Sequence, residues 1–122
     1  MFRITKRFEF SASHRLANLP EDHPCARLHG HNYIVEIELQ AVRLDAHGFV
    51  RDYRELSAFK RYVDDTFDHR HINDVLGSDS PTAETLALHF YEWCRDRFPE
   101  TSAVRVSETP KTWAEYRPDN AS

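Results

Sequence analysis

His29-Gly30-His31 puts two imidazoles at positions i and i+2. On a β-strand that spacing sets both on one face, roughly 6.6 Å apart along the chain and within reach of a single ion. On a helix the same two rings would point nearly opposite ways, so the chemistry depends on the strand. A third imidazole, His14, ends an earlier segment of alternating polarity. If the two segments pair antiparallel, the end of one lies beside the start of the other and the three rings converge. Three neutral nitrogen donors are the usual ligand set of a catalytic zinc ion, whose fourth position takes water or substrate, whereas a structural site is closed by a further ligand, commonly cysteine. Cys25, four residues before His29, could be that closing ligand. Imidazole suits zinc and no carboxylate-rich set accompanies the triad, so zinc is the expected metal. The competing reading makes the three rings ordinary surface or hydrogen-bonded core histidines.

Two further positions bear on chemistry. Asp68-His69 follows a helical stretch in a loop, and histidine is the ordinary side chain for proton transfer near neutral pH. In isolation such a pair carries little weight. Glu108 continues the parity of Val104 and Val106, so a carboxylate is expected on a buried face, where it needs a donor partner. That partner is either an internal arginine or the guanidine-like edge of a bound ligand, such as the N2/N3 side of a pterin or guanine.

The elements that must position these groups can be read from periodicity. From Phe2 to His14 apolar and polar residues alternate, as on a half-buried strand. Residues 15–28 have loop composition, and alternation resumes at His29 and runs through Ala41. Asp52 with Glu55 forms a capping-box pattern ahead of a helix whose buried stripe is Leu56, Phe59, Tyr62, Val63 and Phe67. Residues 68–80 read as loop. Ser80-Pro81 then reads as N-cap and N1 of a second helix with Leu86, Phe90, Trp93 and Cys94 inward, ended by Phe98-Pro99. Strands follow around Val104–Glu108 and Trp113–Tyr116. The order ββααββ argues an α+β fold, an antiparallel four-stranded sheet with two helices on one face. Arg7, Glu9, Glu36 and Glu38 should leave the other face wet. His23 and His47 read as loop residues, His71 as solvent-facing, and His89 as helix surface.

The chain has 122 residues, the size of one domain. Sixteen Lys and Arg against 20 Asp and Glu give a net charge of −4, which disfavours nucleic acid as a partner. No apolar run approaches the ~20 residues of a membrane span. The start lacks the apolar core of a signal peptide, and two cysteines are too few for a disulfide framework. A cytoplasmic protein with free thiols is expected.

Phe10-Ser11-Ala12-Ser13-His14-Arg15-Leu16, Cys25-Ala26-Arg27-Leu28-His29-Gly30-His31, Asp68-His69-Arg70-His71-Ile72-Asn73-Asp74, Pro81-Thr82-Ala83-Glu84 and Glu108-Thr109 occur in this order. Together they resemble the 6-pyruvoyl-tetrahydropterin synthase superfamily, most of all its bacterial 6-carboxy-5,6,7,8-tetrahydropterin synthase branch, which serves queuosine (7-deazapurine) biosynthesis. The resemblance implies a tunnelling fold over residues 1–118 with a short tail at 119–122, and a barrel oligomer, usually a homohexamer with active sites between subunits. It also implies a lyase acting on 7,8-dihydroneopterin triphosphate. By that likeness His14, His29 and His31 hold zinc, Cys25 is the catalytic base, and Asp68 and His69 form a second proton-transfer pair, often from a neighbouring subunit. Glu108 would anchor the pterin ring, Thr82 would make a further pterin contact, and Arg27, by its charge and its place beside Cys25, would meet the triphosphate.

Overall fold

The structure is a computed structural model that describes residues 1–119. Two long strands, β1 (Phe2–His14) and β2 (His29–Ala41), pair antiparallel along their whole length, from Phe2 opposite Ala41 to His14 opposite His29. The apolar parity predicted for each faces the same way: Phe8, Phe10, Tyr33, Val35, Ile37 and Leu39 are all buried. β4 (Thr101–Thr109) adds antiparallel to β2, and β5 (Thr112–Tyr116) antiparallel to β4.

Helices α1 (Ser57–Thr66) and α3 (Ala83–Arg97) lie over that apolar face. Phe59 meets Phe8 edge-on at 5.0 Å, and Phe10 lies 5.8 Å from Phe67 and 6.0 Å from Phe90. These aromatic contacts tie both helices to β1, because ring pairs add specific geometry to their large buried area.

Several expectations need correction. The sheet has five strands in the order β3-β1-β2-β4-β5, because Arg70–His71 forms a short β3 running parallel to Ala12–Ser13. The supposed loop at 68–80 also holds a one-turn helix, α2 (Ile72–Leu76), closed by Gly77 at φ 60°; this is the left-handed cap that glycine accepts without a Cβ penalty. The N-cap of α3 is Thr82, whose side chain accepts a hydrogen bond from the Thr85 amide, and Ser80 lies outside the helix. Asp52 does cap the predicted start of the first helix, but the chain enters through a 3₁₀ turn, Tyr53–Leu56.

The face turned away from the helices is polar without being wet throughout. Glu38 is fully buried there, gripped by Arg105 and Arg117 and by hydrogen bonds from Ser102 (2.7 Å) and Gln40 (2.9 Å). A register irregularity beside Glu38 and Leu39 sets Ser102 under that carboxylate. Ionised Glu38 is the cause of this burial pattern: three arginines lie within ion-pair distance of it, and their stems cover what alternation alone exposes. No helix among the described residues is long and apolar enough to cross a membrane. The expected tail lies, beyond Asp119, outside the described residues.

Candidate functional site

The β1–β2 register brings the triad together. His14 is the direct partner of His29, and His31 sits opposite Ala12, two residues earlier on β1 and on the same face. The three rings are 4.5 to 5.1 Å apart, centroid to centroid. One nitrogen from each lies within 4.8 Å of the other two.

Backbone carbonyls orient two of the rings. His14 Nδ1 is 2.8 Å from the Pro81 carbonyl oxygen and His29 Nδ1 is 2.7 Å from that of Arg27. A carbonyl can only accept, so both rings carry a proton on Nδ1, which in the neutral tautomer leaves Nε2 free to act as a ligand. That is the tautomer-fixing contact that metal-bound histidines generally make. His14 Nε2 and His31 Nε2 are buried with no protein hydrogen-bond partner. Orphaned ring nitrogens are costly unless something occupies their lone pairs, and a cation is the occupant that three converging imidazoles fit. Burial, through desolvation, lowers the pKa of both His14 and His31, which favours the neutral ligand form.

Cys25 is not a member of this ligating group. It is half-buried in a 3₁₀ turn, Pro24–Ala26, that interrupts the predicted loop. Three nitrogens without a closing sulfur leave a tetrahedral ion one open position, the arrangement of catalytic zinc sites.

Glu108 reaches the triad directly, with Oε2 3.6 Å from His31 Nε2. Its side chain retains 27% exposure and, with His31 and Asp68, lines a 630 Å³ cleft. Asp68 divides its carboxylate: Oδ1 accepts from the Ser11 amide at 2.9 Å and Oδ2 pairs with His69 Nδ1 at 2.9 Å. These contacts, the Ser11 amide first, hold the Asp68 carboxyl below its ordinary pKa. His69 is a non-glycine residue with positive φ, 59°, and its amide bonds the Ser11 carbonyl. Such a conformation costs energy that the surrounding bonds must supply. Asp68 and His69 thus attach to β1 three residues, roughly 10 Å of strand, before His14. His69, 82% exposed, lines a second depression of 500 Å³ that also touches His31.

Thr82 and Arg27 have local structural work. Thr82 caps α3, and Arg27 lends its carbonyl to His29 while its side chain is exposed. A Cβ on Gly30 would rest 3.5 Å from the Ala12 carbonyl, an ordinary contact, so close approach within this chain does not demand glycine there. Three histidines read as loop or surface residues prove to be bonded: His23 Nδ1 accepts from the Cys25 amide at 3.0 Å, His71 Nδ1 is 3.0 Å from Ser13 Oγ, and His89 Nε2 is 2.6 Å from the Tyr62 hydroxyl. Sequence reasoning missed Tyr33, two residues past His31 on the same face, whose buried hydroxyl has no protein partner. Its parity was the available signal.

A half-open sheet that gathers three histidines at one end, with a carboxylate beside them and a thiol on the neighbouring turn, defines an α+β protein with an accessible cleft and a histidine cluster that could hold a metal ion. Residues 3–119 match the 6-pyruvoyl tetrahydropterin synthase family, and the chain belongs to it. It is similar to the 6-carboxy-5,6,7,8-tetrahydropterin synthase of Synechocystis sp., 33% identical over 95% of this chain and 93% of that one. The protein of the same name from Bacillus subtilis is 30% identical over 96% and 86%. Among solved structures, 6-pyruvoyl tetrahydropterin synthase of Caenorhabditis elegans superposes with a TM-score of 0.84 at 26% identity, covering 97% of this chain and 96% of that one.

Proposed function

We propose that this chain is a zinc-dependent 6-carboxy-5,6,7,8-tetrahydropterin synthase, a carbon–oxygen and carbon–carbon lyase. With one water consumed, it converts 7,8-dihydroneopterin triphosphate into 6-carboxytetrahydropterin, acetaldehyde and triphosphate for 7-deazapurine biosynthesis. The observation that carries this reading is the cluster of three histidines with orphaned inward nitrogens beside Glu108, in a family whose similar members bear that name.

A zinc ion held by His14, His29 and His31 supplies Lewis-acid polarisation of the substrate's side-chain hydroxyls. Glu108 accepts hydrogen bonds from the N2/N3 edge of the pterin, two parallel donors for two carboxylate oxygens. Thr82 makes a further pterin contact, and Arg27 meets the triphosphate. Cys25 removes a proton from the substrate side chain. His69 carries a second proton, with Asp68 holding its Nδ1 so that Nε2 faces the substrate. Because the ring is reduced at the expense of its own side chain, no nicotinamide takes part.

The 82% exposure of His69, held with Asp68 against β1 at Ser11, favours their service to a neighbouring subunit's site. The sheet supports such assembly. β3 covers only Ala12–Ser13, so the first half of β1 is an open edge, and β5 is another. Edge-to-edge pairing would close trimers into barrels and stack them as a cytoplasmic homohexamer.

The test is product analysis with purified zinc-loaded protein and 7,8-dihydroneopterin triphosphate. Expected are the 6-carboxy product by mass and stoichiometric acetaldehyde, both lost in Cys25→Ala although that variant keeps its metal. The likeness to the C. elegans synthase favours one second reading, a 6-pyruvoyl product, which would appear without acetaldehyde. Undiminished turnover after removal of the metal, or in Cys25→Ala, would overturn the mechanism.

A further inference from the structure

We infer that His23 is a positioning residue for Cys25, a role that rests on the reading of Cys25 as the base. The 3₁₀ turn that carries the thiol has a complete donor account. Pro24 has no amide hydrogen, and its ring fixes its φ. The Cys25 amide donates to His23 Nδ1 at 3.0 Å, the Ala26 amide to the His23 carbonyl at 3.0 Å, and the Arg27 amide to the Pro24 carbonyl at 3.2 Å. The turn is moored on both sides, since the His23 amide bonds the Pro20 carbonyl at 2.8 Å and the Leu16 amide bonds the Cys25 carbonyl at 2.9 Å.

Only one of these bonds is made by a side chain: the His23 ring on the amide of Cys25 itself. An imidazole at an N-cap is unusual, because serine, threonine, asparagine and aspartate lead there. To accept at Nδ1 the ring must be neutral with its proton on Nε2. That is the opposite tautomer from His14 and His29, so His23 is built to hold a backbone amide and not to ligate through Nε2.

The same short run then serves the triad. Two residues beyond Cys25, the Arg27 carbonyl takes the Nδ1 proton of His29 at 2.7 Å. His23 therefore acts at the start of a continuous path, His23 ring to Cys25 amide, 3₁₀ turn, Arg27 carbonyl, His29 ring. The thiol and one triad ring are set by a single turn, and the cap decides whether that turn is held in one conformation. His23 itself touches neither the triad nor the cleft residues, which separates positioning from direct chemistry.

The test compares His23→Ala, His23→Asn and His23→Gln in the zinc-loaded protein. Asparagine places an acceptor oxygen where the ring has Nδ1 and can cap the i+2 amide, whereas alanine cannot and glutamine is one carbon too long. With 7,8-dihydroneopterin triphosphate as substrate, His23→Ala and His23→Gln should lose about fivefold in kcat, the usual cost of a missing cap. KM should stay within twofold and metal content should not change, while His23→Asn should restore kcat to within twofold of the parent. Amide hydrogen exchange at Cys25, followed by NMR, should quicken about fivefold in the alanine and glutamine variants only. Equal behaviour of the asparagine and alanine variants in exchange and kcat, or parental behaviour of all three, overturns the inference. If Cys25→Ala is fully active, the assignment of the base falls instead, and the exchange rates alone then decide whether His23 holds the turn.

Discussion

Replacing Glu38 by Gln tests the buried charge cluster on the polar face of the sheet, at the end of β2 away from the triad. Burial alone would raise the pKa of this carboxyl, but hydrogen bonds from Arg117, Arg105, Ser102 and Gln40 outweigh it and hold the value at about 2, against 4.5 for an ordinary glutamate. At roughly 1.4 kcal/mol for each pH unit between the two, ionised Glu38 contributes about 3 kcal/mol to the folded state. A folded-state pKa that is depressed gives stability that is fully present above pH 4.5 and lost as pH falls towards 2. Glu38→Gln should therefore lower the unfolding free energy by about 3 kcal/mol at pH 7, in line with removing one partner of a buried pair. The gap between variant and parent should close as the buffer is taken from pH 5 to pH 2.5. Urea unfolding followed by the fluorescence of Trp93 and Trp113, at fixed protomer concentration, measures both. A variant within about 0.5 kcal/mol of the parent at pH 7, or a gap that does not narrow with acid, refutes the reasoning.

Three other outcomes follow from contacts at and near the site. Asp68→Asn keeps an acceptor for the Ser11 amide but offers His69 Nδ1 a donor, reversing the ring's tautomer; turnover should drop about 100-fold with metal content and melting temperature unchanged. Tyr62→Phe removes the 2.6 Å bond to His89 that ties α1 to α3 and should cost about 1 kcal/mol in urea unfolding. Desolvation lowers the His89 pKa below its ordinary 6.5, as it does for His14 and His31, so the parent should lose stability as pH falls from 6.5, and His89→Phe should make that part of the curve shallower in thermal melts, leaving the share due to His14 and His31.

The triad was legible because it depends on two regularities that survive translation from sequence to structure. Alternation put His14 in line with Phe8 and Phe10, and His31 in line with Tyr33 and Val35; antiparallel pairing then set the two strand ends together. Helical stripes were legible for the same reason: Leu56, Phe59, Val63 and Phe67 are all buried. What escaped was the work of single backbone groups and long-range polar contacts. The carbonyls of Pro81 and Arg27 orient two of the triad rings, and any residue type supplies a carbonyl. Arg70–His71 pairs with β1 over only two residues, too few for alternation to register. Glu38 reads as solvent-facing by parity, yet its partners Arg105 and Arg117 lie 67 and 79 residues away, and only the folded sheet places them over it. Thr82 capped α3 in place of Ser80 because both residue types suit the position, and local sequence does not rank two caps that flank one proline.

X-ray absorption at the zinc edge of the loaded protein examines the ligand set most directly. One ion per subunit with three imidazole nitrogens, one oxygen donor and no sulfur is the predicted ligand set, falling to background binding in His31→Ala. A zinc–sulfur distance near 2.3 Å, or a spectrum unaltered by loss of His31, would contradict the account.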